Sequence, residues 1–188
     1  MEPPRAEIRR DESTAACATR VAAPGTPEAT PDRVVRPAPL AAADIPAFDG
    51  RPQHGLFALA HIVHPEETSA LVPHANNVAI LGWIDELASL HGAHAGAARE
   101  TLAARGAMWF VASHEIRYLG ESFAGDELVL ACWCPSVGRT SLVRESRVLA
   151  RADGRILVAA TSRWAHVDLA TRRPSPMPPE VRAALVAG

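Results

Sequence analysis

The chain has 188 residues, 48% of them hydrophobic and 21% charged, with a formal net charge of −2. That length supports one domain with its own core, and the near-neutral charge excludes a nucleic-acid footprint or attraction to an anionic membrane. Three cysteines do not make a disulfide framework, no apolar run nears the ~20 residues of a membrane span, and the polar start lacks a signal-peptide core; a cytoplasmic protein is expected.

Nine of the 16 prolines fall in the first 53 residues, amid Ala, Arg, Glu and Thr. Such a segment cannot bury enough apolar surface to offset its ordering entropy. Residues 1–52 therefore read as a disordered tail, with its last part free to lie along the domain, and 53–188 as the domain. Loose alternation over 56–63, ending at Pro65, predicts a first strand. After a polar loop over 66–73 comes a helix over 76–91, with Ile80, Leu81, Ile84, Leu87 and Ala88 on one stripe. Gly92 and Gly96 loosen the chain behind it, and a short Ala-rich helix is expected over 97–104. Four strands follow, over 108–119, 127–134, 140–151 and 155–169. Gly125-Asp126, Ser136-Val137-Gly138 and Asp153-Gly154 supply the turn chemistry between them. Prolines from 174 to 179 close the sheet region, and a helix over 179–186 starts on a proline. One strand, one long helix and an antiparallel meander make an α+β layout in which the helix covers the apolar face of the sheet.

Chemistry concentrates at the entry to the long helix, Pro73-His74-Ala75-Asn76-Asn77-Val78. A helix start carries unpaired N–H groups and the positive end of the helix dipole, which suit a carbonyl oxygen gaining negative charge. His74 is the side chain whose charge is easiest to tune near neutrality, and Asn76 and Asn77 also suit a plain helix cap. Asp85 lies on the flank of the helix and Glu86 nearly opposite the apolar stripe, while Glu66 and Glu67 read as solvated loop residues. His61-x-x-His64 and His91-x-x-His94 each offer two imidazoles. Zinc needs three or four ligands and no further Cys or carboxylate pattern completes either pair, so no metal is expected; a helix C-terminus accounts for His91 and His94. Cys132 and Cys134 share one strand face as small core residues. Arg144, Arg147, Arg151 and Arg163 recur on adjacent strands, which suits either a solvated sheet face or contact with phosphates or an acidic protein surface. There is no Gly-x-Ser-x-Gly elbow and no Gly-rich phosphate loop.

Five pieces in order carry a family resemblance: His74-Ala75-Asn76-Asn77; Gly82-Trp83-Ile84-Asp85-Glu86; the strand from Glu115 through Tyr118 to Glu121; Gly125-Asp126-Glu127-Leu128; and the ending His166-Val167-Asp168, Arg173-Pro174 and Pro178. Over residues 56–180 the chain resembles hotdog-fold thioesterases of the 4-hydroxybenzoyl-CoA thioesterase and acyl-carrier-protein thioesterase group. The resemblance implies an antiparallel sheet wrapped around a long central helix. It implies a homodimer or homotetramer, an acyl-CoA or acyl-carrier-protein substrate and no cofactor. It places the thioester carbonyl at His74, Asn76 and Asn77, with Val78 and Trp83 against substrate and Glu121 or Asp85 as the carboxylate base. The chain departs from the pattern where many relatives carry an Asp before the His (here Ala70, or Ser69 with a longer loop) and where plant relatives carry an Asn (here Val72). That departure keeps two rivals in play: an acyl-CoA-binding protein without turnover, and a dehydratase or hydratase acting on the acyl chain.

Overall fold

Alternating burial along the strands builds the sheet. The computed structural model describes residues 38–187. In chain order it contains β1 (Phe57–Ile62), α1 (Asn77–His94), α2 (Arg99–Ala104), β2 (Ala107–Tyr118), β3 (Glu127–Val137), β4 (Ser141–Ala150), β5 (Ile156–Asp168) and α3 (Pro179–Ala187). The strands form one antiparallel sheet in the order β1-β3-β4-β5-β2, leaving β1 and β2 at its edges. The helix expected over 76–91 runs one turn further, and the four predicted strands appear with ends shifted by a few residues. The expected α+β layout, a long helix against an antiparallel sheet, is what the chain forms.

Helix α1 turns Ile80, Trp83, Ile84 and Leu87 onto Leu59 of β1, Leu128 and Leu130 of β3, Val148 of β4 and Val158 of β5. Each of these buried side chains contributes about 1.5–3 kcal/mol of transfer free energy. A second apolar cluster sits under the far end of α1, where Ala88, Ala95 and Leu102 meet Leu142, Trp164, Val181 and Leu185.

The outer face of the sheet is also covered. Residues 38–52, grouped with the tail by composition, lie against it. The Leu40 N–H donates to the Ala58 carbonyl at 2.8 Å, and Ile45 is buried with Ala58, Val129, Ala131 and Leu149. Phe48 stands 6.2 Å from the Trp133 ring, and Arg51 donates to the Ile45 and Ala42 carbonyls. Gly154, in the β4–β5 turn at φ +72°, allows this strap to pass: a Cβ there would collide with the Ala47 carbonyl. The rest of the expected tail lies outside the described residues.

Candidate functional site at the entry to α1

Asn76 begins the helix. Its backbone is extended (φ −80°, ψ 157°) and its Oδ1 accepts the Ala79 N–H at 2.8 Å. The first intrahelical bond runs from Ile80 N–H to the Asn76 carbonyl at 3.1 Å. Among the described residues the N–H groups of Asn77 and Val78 find no protein acceptor, and they point from the positive end of the helix dipole. Val78, 80% exposed, stands on the first turn beside them.

The approach to this helix is clamped by backbone bonds. Ala75 N–H donates to the Ser122 carbonyl and Asn76 N–H to the Glu67 carbonyl, both at 2.8 Å, while His74 pairs with Phe123 as an isolated bridge. The segment after β2 therefore lies beside the His-Ala-Asn-Asn entry. This brings Glu121 Oε1 to 3.8 Å from His74 Nδ1. Nδ1 is shut from solvent with no hydrogen-bond partner, whereas the Glu121 carboxylate is 64% exposed. The gap is too long for a direct hydrogen bond and within ion-pair reach when the imidazole carries a proton.

Asp85 is placed elsewhere. It lies eight residues along α1 from Asn77, about 12 Å at 1.5 Å per residue, and its Oδ2 accepts from Arg99 Nη2 at 2.7 Å, tying α1 to α2. Within the chain His74, Asn76, Asn77, Val78 and Glu121 come together, and Asp85 stands apart. Trp83 is buried, with its indole in the core rather than on the helix surface.

Glu67 proves to be a different residue from the solvated loop carboxylate that the sequence suggests. Its Oε1 accepts the Trp83 indole N–H at 2.6 Å; its Oε2 accepts the His64 backbone N–H at 2.7 Å and lies 3.1 Å from His61 Nε2. Burial pushes its pKa up, but the His64 and Trp83 N–H groups and His61 outweigh that and hold it below the ordinary 4.5. With its donors already committed, Glu67 is a poor proton acceptor and a good anchor. It fastens the loop carrying His74 to the helix whose N-terminus His74 adjoins. The signal was present in the sequence: His64-Pro65-Glu66-Glu67 has Pro at a helical N1 and Glu at N3, the pattern of a capped turn.

A polar seam separates the two apolar clusters under α1. Cross-strand pairing aligns Cys132, Ser146 and Ala160 in one row and Arg144, Ser162 and His114 in the next. Arg144, one of the four arginines left open by the sequence, is neither on a solvated face nor on a surface. It is 4% exposed, faces α1 and stacks over Trp164 at 5.5 Å. Arg147, the next inward-outward alternate, lies on the opposite face over Trp133 and pairs with Glu145 at 3.0 Å. His91 stacks on Phe57 and meets Cys132 Sγ at 3.4 Å. Burial, with Arg144 and His94 nearby, pushes its pKa down to about 3, so it is a neutral core residue and not a charge complementing the helix end. His61 likewise turns to Glu67, and no three His, Cys, Asp or Glu among the described residues converge as metal ligands.

The chain is 32% identical over 82 residues to the chloroplastic acyl-(acyl-carrier-protein) hydrolase FATB3 of Cuphea viscosissima, which covers 44% of this chain and 20% of that protein. The chain thus spans about a fifth of the length of that curated relative. Among solved structures it is similar to a 1,4-dihydroxy-2-naphthoyl-CoA thioesterase from Synechocystis (TM-score 0.64, 13% identity, 69% of this chain and 95% of that one). It is also similar to the 12:0-ACP thioesterase from Umbellularia californica (TM-score 0.60, 21% identity, 73% and 56%). These likenesses carry the hotdog fold. The profile of the Thioesterase-like superfamily matches residues 63–185, from the end of β1 into α3; with the helix entry, the sheet order and the family pattern falling on the same span, the chain belongs to that superfamily.

Proposed function

We propose that this chain hydrolyses acyl thioesters, carried on CoA or on acyl carrier protein, to free acid and thiol. The observation that carries the reading is the His74–Glu121 pair set against the unclaimed N–H groups at the start of α1. The thioester carbonyl oxygen would accept from the Asn77 and Val78 N–H groups, with the Asn76 cap fixing their direction. His74 would orient a water against Glu121. Glu121 takes a proton from that water, the hydroxide adds to the carbonyl carbon, and collapse of the tetrahedral species expels the thiolate, which is reprotonated. Superfamily membership and the activities of the relatives, which include both carriers, support this chemistry.

The reading includes a homodimer or homotetramer. One edge of β2 is unpaired over 12 residues, and Phe110 and Val111 on it, with Val78 and Leu81 on α1, are exposed apolar side chains. A second copy pairing antiparallel along β2 would satisfy the edge and cover these groups. The reading also has the protein act in the cytoplasm, where free thiols such as Cys132 and Cys134 persist.

A non-catalytic acyl-binding protein is the second reading, favoured by Ala70 and Val72 where relatives carry polar groups. Thiol release from acyl-CoAs of graded length, with benzoyl- and phenylacetyl-CoA, decides between them. Hydrolysis predicts turnover that falls about 10²–10⁴-fold in Glu121→Gln, the range of general-base assistance. Asp85→Asn should keep wild-type turnover; the reverse pattern moves the base to Asp85. Ligand binding without thiol release would establish the second reading.

A further inference from the structure

Arg144 is the one buried guanidinium among the described residues, and none of their carboxylates pairs with it. It stands on the α1-facing side of β4, 4% exposed, with its Nε shut from solvent and without a partner. Its titratable neighbours are neutral. Burial raises the pKa of the Cys134 thiol, and burial lowers that of His91 to about 3. The Trp164 ring lies 5.5 Å from the guanidinium, and its indole N–H is a second buried donor with no acceptor. A charge left uncompensated inside a core is costly enough that folded proteins pair it or replace it.

Arg144 and Trp164 border the same small space between α1, β4 and β5, with Ala88 and Gly92 on the helix side and Leu142 and Trp109 around it. The centre of a water-sized sphere can range over about 20 Å³ there, which is room for one such particle and nothing larger. The two donors restrict what that particle is, because a guanidinium and an indole N–H accept nothing. A water taking both bonds would still have two protons to place, and the bordering side chains offer one hydroxyl, Ser89. It would also leave the charge uncompensated. Arg99, which borders the space as well, already has Asp85. A monatomic anion accepts from both donors, brings no proton and supplies the missing charge.

We propose that a halide ion, chloride in particular, binds between the Arg144 guanidinium and the Trp164 N–H and pins α1 to β4 and β5 at the second apolar cluster. Ala88 and Gly92 lie about 16–22 Å along α1 from Asn77. The site is therefore distinct from the thioester entry, and the inference does not depend on the hydrolase reading.

The test follows Tm in sodium chloride, bromide and gluconate at one ionic strength, for wild type, Arg144→Met and Trp164→Phe. Gluconate is too large for the space and controls for general salt effects. Above half-saturation, wild type should gain about 3–6 °C per tenfold rise in chloride or bromide. Arg144→Met should melt alike in all three salts. Trp164→Phe, which keeps the ring and loses the N–H, should need about two- to tenfold more chloride for half its shift. Crystals soaked in bromide should show anomalous scattering within hydrogen-bond reach of both side chains. Equal wild-type Tm in chloride and gluconate overturns the proposal, as does a chloride response that survives in Arg144→Met. If Arg144→Met does not fold, an unshifted Trp164→Phe midpoint overturns it. Stabilisation by halide with no bromide beside Arg144 overturns it too, since the ion then acts elsewhere and the space holds water.

Discussion

Replacing Glu67 by Ala tests whether one carboxylate fastens the loop carrying His74 to the central helix. The substitution deletes three hydrogen bonds, from the Trp83 indole, the His64 N–H and the His61 ring. Hydrogen bonds to charged groups contribute about 1.5–3 kcal/mol each, and a buried donor left unpaired costs about 1–3 kcal/mol. Trp83 is 4% exposed, so its N–H has no water to turn to, while the His61 pair is nearer solvent and counts for less. The expected loss is about 3 kcal/mol, or roughly 6–12 °C in Tm for a domain of this size. Urea unfolding followed by circular dichroism measures it. Trp83→Phe keeps the packing and removes the N–H, so a double-mutant cycle should return a Glu67–Trp83 coupling of about 1–2 kcal/mol. The pH dependence adds a second signature. Because Glu67 titrates lower in the folded chain than in the unfolded one, its contribution is complete above pH 4.5 and fades as the pH falls below that value. A Glu67→Ala protein within about 0.5 kcal/mol of wild type, or an additive cycle, would refute the anchoring role.

Other outcomes follow from the same structure. His91 takes up a proton near pH 6.5 when unfolded but only near 3 when folded, so stability should decline as pH falls through that interval, by up to about 1.4 kcal/mol per unit. His91→Phe, which can still stack on Phe57, should flatten that slope; urea midpoints at neutral and mildly acidic pH will read it. Burial pushes Cys132 up to about 12 and raises Cys134 as well, so both should resist iodoacetamide in the native protein and react in urea, as peptide mass spectrometry would show. Val111→Asp places a charge on the open edge of β2 and should convert the proposed oligomer to monomer in light scattering, with the circular dichroism spectrum kept. An unchanged mass would put the interface elsewhere.

Where the side-chain period was clean, the fold was legible. The stripe from Ile80 to Leu87 and the turn residues at Gly125-Asp126 and Asp153-Gly154 locate α1 and the succession of strands along the chain. The expected meander is broken, however: β2 pairs with β5 across the sheet and not with β3, a long-range pairing that turn residues do not encode. The helix end was not legible, because nothing local distinguishes His91, buried against Cys132 and Phe57, from a charged residue closing a helix. His74, Asn76 and Asn77 were legible as a helix entry, yet their nearness to Glu121 depends on the His74–Phe123 bridge between segments 49 residues apart, a long-range pairing that local pattern does not carry. Arg144 was left open between a solvated face and a binding surface for a related reason. Alternation puts Leu142, Arg144, Ser146 and Val148 on one buried face of β4, and neither option placed a cation there. Burying a cation against its intrinsic preference is the kind of local inconsistency that sequence reasoning misses.

The strap formed by residues 38–52 bears on assembly. A single sheet with apolar groups on both faces invites a second sheet to stack on the uncovered one, and two such dimers meeting back to back would give a tetramer. Here Leu40, Ile45 and Phe48 already occupy the ground over Ala58, Val129, Ala131 and Leu149. The chain supplies in cis what another subunit would otherwise supply in trans. Face-to-face stacking is thereby capped at this surface, and any assembly of copies has to use a different one.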